Sequence, residues 1–189
     1  MTTLHIKNMV CDRCISVVTN ELKSLGLNPD RVTLGEVDLN QPLSPEQKET
    51  VKETLQKNGF ELLDDRKSIT VEQIKTLLIN LVHYNHNEKP DSMRYSEYLE
   101  KQVGMDYSNL SKIFSEAEGI TIEHYLISQK VERIKELLMY DQLSVNEISM
   151  QMGYSSAAHL SSQFKKLTGT TPGKFRNLHH QNRKPLDKI

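Results

Sequence analysis

The sequence predicts an α+β chain in two parts, a small sheet with helices on one face over residues 1–66 and an all-α part over residues 67–189. Three observations predict it. In the first part the apolar spacing switches between a period of two and a period near 3.6, the rhythm of strands alternating with helices. After residue 67 only the helical period remains. Within that second part, Gly104, Gly119, Gly153 and Gly169 sit where successive helical patterns run out.

The elements follow in order. Thr3–Asn8 alternates like a short strand, and Asp12–Gly26 reads as a helix with Ile15, Val18, Leu22 and Leu25 on one face. Arg31–Leu39 reads as strand through Val32, Leu34 and Val37, with Gly35 marking a turn or bulge that would fold it as a hairpin. Ser44-Pro45-Glu46-Gln47 combines a capping serine, a proline at the first helical position and a glutamine in the capping-box position. The helix it opens runs through Val51 and Leu55 to Asn58-Gly59, and Phe60–Leu63 closes the sheet. Asp64-Asp65-Arg66-Lys67 is a short boundary. Beyond it, Val71, Ile74, Leu77, Leu78 and Leu81 stripe a helix from Ser68 to near Tyr84, and Asn85–Ser92, with Pro90, reads as a loop. Tyr95–Val103, Tyr107–Glu118, Ile122–Tyr140, Val145–Met152 and Ser156–Leu167 follow as helices.

Charge is distributed unevenly. The net charge of −1 combines 8 Lys/Arg against 11 Asp/Glu in residues 1–66 with 16 against 14 in residues 67–189. From His159 onward there are seven basic residues and one acidic. A nucleic acid is read by a local patch, so the second half is the better candidate for a polyanionic partner. The weakly basic total leaves much of any binding to specific contacts.

Two stretches of the helical part repeat one design. Tyr95–Val103 is followed by Gly104-Met105-Asp106 and then Tyr107–Phe114. Val145–Met152 is followed by Gly153-Tyr154-Ser155 and then Ser156–Phe164. Each is a short helix, a glycine where the chain reverses, and a second helix that opens on small or polar residues, which is a helix-turn-helix unit. Leu110, Ile113 and Phe114 should bury one face of the first recognition helix, and Leu160 and Phe164 that of the second. The opposite faces carry Ser108, Asn109, Ser111 and Lys112, then Ser156, Ala157, Ser161 and Ser162, short side chains suited to base edges and phosphates.

At these residues the chain resembles the AraC/XylS family of bacterial transcription regulators. The resemblance is carried by Leu143–Ser149, Met152–Ser155, Leu160-Ser161, Phe164-Lys165-Lys166, Gly169 and Thr171–Arg176. Leu110–Phe114 and Glu118-Gly119 in the first unit add to it, and it covers residues 68–178. It implies a seven-helix fold in which a long central helix, Thr121–Tyr140, sets both recognition helices into successive major grooves of double-stranded DNA. Family base contacts would fall on Ser108, Asn109 and Lys112, and on Ser156, Ala157, Ser161 and Ser162. Lys165 joins this DNA-binding set, and Arg176 is expected to hold packing or a phosphate near the end of the domain. The chain departs from the family pattern at Ser162, where an arginine is common, at Leu99 and Ser149, where alanine is usual, and at Asp106, where serine is common. Without a guanidinium fork at residue 162, direct guanine reading there is weaker.

The only cysteines, Cys11 and Cys14, lie three apart at a helix start. Backbone N–H groups and the helix dipole there favour thiolate, as does Arg13 between them. Two thiolates suit a soft ion such as Cu(I), or half of a tetrahedral zinc site. Here residues 3–63 resemble the heavy-metal-associated domain of copper chaperones and metal-pumping ATPases, through Met9-Val10-Cys11-Asp12-Arg13-Cys14 and Asn58-Gly59-Phe60, with Asn8 in place of the usual glycine. That resemblance implies a ferredoxin-like domain over residues 1–66. A metal site, a thiol redox sensor and an inert dimerisation or effector module all remain open. His5 reads as a strand-surface residue and His83, His86, His179 and His180 as too scattered to serve as ligands, although His179-His180 could touch DNA backbone. Tyr84 and Tyr98 read as core or surface aromatics.

The expected function is therefore a sequence-specific DNA-binding transcription regulator, with RNA polymerase as a further partner and metal or thiol chemistry as a modulator. The other class is a metal-delivery or thiol-redox protein with a helical partner-binding domain. No nucleophile–base set, phosphate loop or paired acid–base carboxylates point to an enzyme. The longest apolar run, Leu77–Val82, is too short for a membrane span, and the amino terminus lacks a signal-like apolar core, so the cytoplasm is the expected compartment. Two reading units in one chain are compatible with a monomer or a homodimer.

Overall fold

Alternation in the first residues produces β1 (Thr2–Lys7), which puts Leu4 and Ile6 on one face of a sheet. In this computed structural model, which describes residues 2–84, 93–140 and 142–181 with side chains through 178, it is followed by α1 (Asp12–Ser24), β2 (Pro29–Thr33), β3 (Glu36–Leu39), α2 (Pro45–Lys57) and β4 (Glu61–Leu63). The strands are ordered β2-β3-β1-β4 and every pairing is antiparallel. Register places Leu4 opposite Val37 and Ile6 opposite Leu62, so the apolar positions of three strands share one face. Val18 and Leu22 of α1 and Val51 and Leu55 of α2 bury into one cluster with them. The stretch read as strand over Arg31–Leu39 is a hairpin, turned at Gly35, where φ is 81°. Ser44 and Gln47 form the capping box expected of them: Gln47 N–H donates to Ser44 Oγ at 3.1 Å and Ser44 N–H to Gln47 Oε1 at 2.9 Å.

The boundary read at residues 64–67 is shorter than expected, because Asp65 is itself a helix cap. Its carboxylate accepts the Ser68 N–H at 2.9 Å, so α3 (Arg66–Ile79) starts two residues before the predicted Ser68. It passes into a π-helical turn at Asn80–Tyr84. The loop predicted over Asn85–Ser92, with His86 and Pro90, lies outside the described residues, as do the side chains of His179 and His180.

Then come α4 (Tyr95–Val103), α5 (Tyr107–Glu118), α6 (Ile122–Tyr140), α7 (Val145–Gln151), α8 (Ala157–Thr168) and α9 (Pro172–Gln181). Periodicity predicts nothing after Leu167, yet Thr171-Pro172 opens a helix, with Phe175 N–H reaching Thr171 O at 2.9 Å and proline at the first position. No described helix is long and apolar enough to cross a membrane.

The chain packs as two units. One holds Met1–Leu81 with Asn87–Thr121, the other Val82–His86 with Ile122–Ile189. In the first, α3 packs on α4 and α5 beside the sheet. In the second, α6 packs on α7, α8 and α9. The packing division lies between the two helix pairs. Besides the local bonds at the start of α3, the sequence boundary at residues 66 and 67 is crossed by long-range hydrogen bonds from Asn8 N–H to Glu72 Oε1 at 3.0 Å and from Gln73 Nε2 to Glu36 Oε1 at 3.1 Å.

Candidate nucleic-acid interface

In the first helix pair, α4 ends on Gly104, whose positive φ of 72° lets its N–H close on Glu100 O while the chain turns away. Tyr98 and Leu99 of α4 and Leu110 and Phe114 of α5 are buried, so α5 is anchored by one apolar face. Leu99, a departure from the small residue usual there, is fully buried, so the added volume is taken up by the core. The other face of α5 exposes Ser108, Asn109 and Lys112, with Ser111 half-buried.

The start of α5 differs from a free array of polar side chains. Asp106 is the N-cap, accepting the Asn109 N–H at 3.0 Å, and the same carboxylate takes the Ser108 hydroxyl at 2.8 Å and the Asn109 amide Nδ2 at 2.6 Å. The Asn109 backbone N–H first, and then the Ser108 hydroxyl, hold the Asp106 carboxyl below its ordinary value. Two of the predicted base-reading side chains are therefore already engaged by a carboxylate on the helix end. Lys112 is exposed, with no hydrogen bond or ion pair among the described residues. In the sequence Asp106 stands out as a departure from the family pattern, yet an Asp directly before a helical run is itself a capping signal.

In the second pair, Ser144 and Glu147 form a capping box on α7. Ile148 and Met152 are buried with Leu160 and Phe164 of α8. Ser149, the second small-residue departure, is buried and donates to Asn146 O at 2.8 Å, which satisfies its hydroxyl. Ser156 is the N-cap of α8 and accepts the His159 N–H at 3.1 Å; the helix therefore begins at Ala157 rather than at Ser156. Ser162, Lys165 and Lys166 are exposed, and Ala157 and Ser161 half-buried. Arg176, half-buried on α9, donates from Nη2 to Leu143 O at 2.6 Å, so it ties the last helix to the start of α7. Periodicity missed a further tie: Lys130 of α6 donates to Met152 O at 2.9 Å while lying 5.2 Å from the Tyr154 ring centroid, so it sets the turn before α8.

The cysteine pair sits between β1 and α1. Cys11 is the N-cap of α1, and its Sγ lies 3.5 Å from that of Cys14. Both are free thiols and half-buried. The Cys14 backbone N–H first, then the Cys14 thiol, with Arg13 adding to them, hold the Cys11 thiol below its ordinary value. Asn8 has φ 73°, the left-handed region, and its side chain donates to Gly59 O at 3.0 Å. That explains the residue replacing glycine before Met9: Asn is the side chain that best tolerates this backbone. Met9 is buried in the core, so its thioether is not offered beside the thiols. Among the described residues, no three His, Cys, Asp or Glu side chains gather where they could hold a metal ion. His5, half-buried on β1, faces Glu36 at 3.6 Å and not the cysteines.

The sequence model of a family described as a helix-turn-helix domain matches residues 99–178. The xylose operon regulatory protein of Escherichia coli strain K12 is 36% identical over 104 residues, which make up 55% of this chain and 26% of that protein. An uncharacterized HTH-type transcriptional regulator of Staphylococcus aureus strain MSSA476 is 37% identical over 78 residues, 41% of this chain and 10% of that protein. The chain thus spans about a quarter, or less, of the length of these relatives. Among solved structures, the C-terminal domain of AraT, a response regulator from Geobacillus stearothermophilus, superposes with a TM-score of 0.50 at 23% identity, covering 60% of this chain and 88% of that one. That likeness is one of fold. The family match, at residues 99–178, bears on the helices after the sheet.

Proposed function

From a helix-turn-helix domain of the AraC type at residues 99–178, we propose that this chain is a sequence-specific DNA-binding transcription regulator. The observation that carries the reading is the doubled helix pair. Each second helix is anchored by Leu and Phe at the same offset, Leu110 with Phe114 and Leu160 with Phe164, and turns short polar and lysine side chains outward. On this reading α4–α5 and α7–α8 are two helix-turn-helix units, and α5 and α8 enter successive major grooves of one duplex. Lys112, Ser161, Ser162, Lys165 and Ala157 supply the outward contacts. Ser108, Asn109 and Ser156 contribute through helix-end geometry as well as through any base contact. Docking is non-covalent and acts by recruiting or obstructing RNA polymerase. Two reading helices per chain allow a monomer to occupy a full site, and a homodimer would double the footprint.

The amino-terminal sheet, with its β-α-β-β-α-β order, is ferredoxin-like on this reading and acts as the modulator. The donor set fits a soft two-coordinate ion: two sulfurs at one helix start, with no third donor beside them among the described residues. Cys11 and Cys14 would hold Cu(I), whereas zinc would need two further donors from another molecule. Asn8, whose N–H is bonded to Glu72 of α3, gives the cysteine-bearing loop a direct contact with the helix that packs on α4 and α5.

Genome-wide mapping of bound DNA tests both levels. A single enriched sequence motif, retarded by the purified protein in a salt-dependent way, supports the regulator, and absence of any sequence preference at low salt rejects it. Occupancy that differs between native protein and the Cys11→Ser/Cys14→Ser variant when copper is added supports the modulator. Identical occupancy in all conditions rejects it and leaves the DNA reading standing.

A further inference from the structure

We propose that a cavity between the β2–β3 hairpin, α3 and the end of α4 is an effector site for a small zwitterion, an amino acid with a short side chain. The cavity lies within the first packing unit and measures about 250 Å³. Sites for drug-sized ligands run from about 300 to 1,000 Å³, so this one suits a smaller metabolite. It is distinct from the cysteine pair, neither member of which lines it.

The lining carries charge of both signs. On the sheet side stand Arg31 and His5, with Glu36 between them. Arg31 Nε is bonded to Asp38 at 3.0 Å, but Nη2 is 4.0 Å from Glu36, so the guanidinium keeps donors for an incoming carboxylate. On the helix side stands Glu72. It is buried, at 8% exposure, and accepts one hydrogen bond, from the Asn8 backbone N–H; no other hydrogen bond or ion pair holds it among the described residues. Its neighbours of opposite charge are taken, Lys7 by Glu61 at 3.1 Å and Lys75 by Glu118 at 2.7 Å. A buried carboxylate with one partner gains from an ammonium donor. The second wall carboxylate, Glu36, is already met by Gln73 and by His5, so it does not compete for the ammonium. The rest of the wall is mixed, with Leu34, Ile69 and Leu77 beside Thr33, Thr76 and Asn80.

The position gives the ligand a consequence. Gln102 and Val103, the last residues of α4, close the cavity, and Gly104 turns the chain into α5 directly after them. A molecule spanning Arg31 and Glu72 therefore ties the hairpin to the end of the helix that sets α5. Only this consequence rests on the DNA-binding reading; the binding itself does not.

The test uses the full chain without DNA, titrated with the common amino acids at millimolar concentration and followed by backbone amide resonances. Matched probes are the decarboxylated amine and the N-acetyl derivative of the best binder. The expected result is movement of the Gly35, Gln73 and Gln102 amides with an amino acid, and roughly tenfold weaker binding of either matched probe. Glu72→Gln should erase the preference over the N-acetyl derivative, and Arg31→Gln the preference over the amine. The two losses are opposite in kind, which general unfolding cannot imitate. No response to any amino acid overturns the proposal, as does a response that both variants leave unchanged. A ligand that binds as expected but leaves affinity for the mapped DNA motif unaltered overturns its role as an effector, while failure of all DNA binding would count against the regulator instead.

Discussion

Asp106 is the residue on which the proposed DNA reading by α5 turns. A carboxylate at a helix N-terminus is favourable for the helix, because it satisfies an otherwise unpaired N–H and opposes the positive end of the dipole. Facing a phosphate backbone, the same charge is repulsive. Asp106→Asn keeps a good cap and removes the charge, so DNA affinity should rise several-fold at low salt. The log–log salt dependence should steepen by up to about one unit, measured by titration at a series of salt concentrations. Lys112, exposed one turn further on, should behave differently. Lys112→Ala is expected to cost about 1–3 kcal/mol on the preferred sequence and little on a scrambled one if it reads a base; an equal loss on both assigns it to phosphate. At Glu72 burial is the largest influence and raises the carboxyl above its ordinary value, against the Asn8 hydrogen bond and the nearby Lys75 and Lys7. The folded state then holds this proton more tightly than the unfolded chain. Stability is highest below the unfolded-state value and is lost as pH rises through the raised one. Glu72→Gln, which can still accept from Asn8, should therefore melt higher than the native protein at neutral pH and equally in acid. A native melting temperature that does not change across that window would show the group to be solvated.

Among the elements, those written in local chemistry were legible. Ser44-Pro45-Gln47 announces α2 because each residue of a capping box acts within one helical turn. The glycines at 104 and 119 mark helix ends because each takes a positive φ there. The hairpin at Gly35 was half legible, since its glycine is visible but the Thr76 Oγ1 that a Cβ would meet at 3.1 Å lies on another element. The bonds of Asn8 to Glu72 and of Arg176 to Leu143 join residues 64 and 33 positions apart and leave no periodic trace. The candidate DNA contacts were legible as exposed positions on α5 and α8, but the clasp of Asp106 on Ser108 and Asn109 depends on rotamers that a sequence does not write. Phe164, buried and edge-on to Phe175 at 5.5 Å between centroids, joins α8 to α9. Phe164→Ala should destabilise by about 3–5 kcal/mol, read by denaturant unfolding. A loss below 1 kcal/mol would mean that α8 is held by something other than this aromatic pair.

For the whole molecule, the two packing units predict how cooperativity is partitioned. The sheet shares a unit with α3–α5, whereas α6–α9 form another. Amide exchange should therefore show Phe164→Ala lowering protection throughout α6–α9 while Leu62 and Leu110 keep theirs. Uniform loss across the chain would make it one cooperative body. The seam between sheet and α3 also bears on modularity. Regulators are often imagined as interchangeable heads on a common reader, joined by an indifferent tether. Here Asp65 caps α3, and Glu72 and Gln73 of that helix complete their hydrogen bonds on Asn8 and Glu36 of the sheet. A chimera spliced at residue 66 with a foreign head would inherit both side chains widowed, one of them a buried carboxylate. Grafting onto this scaffold thus demands that the donor supply a left-handed backbone N–H and a hairpin carboxylate at matching places, a compatibility rule written into four residues.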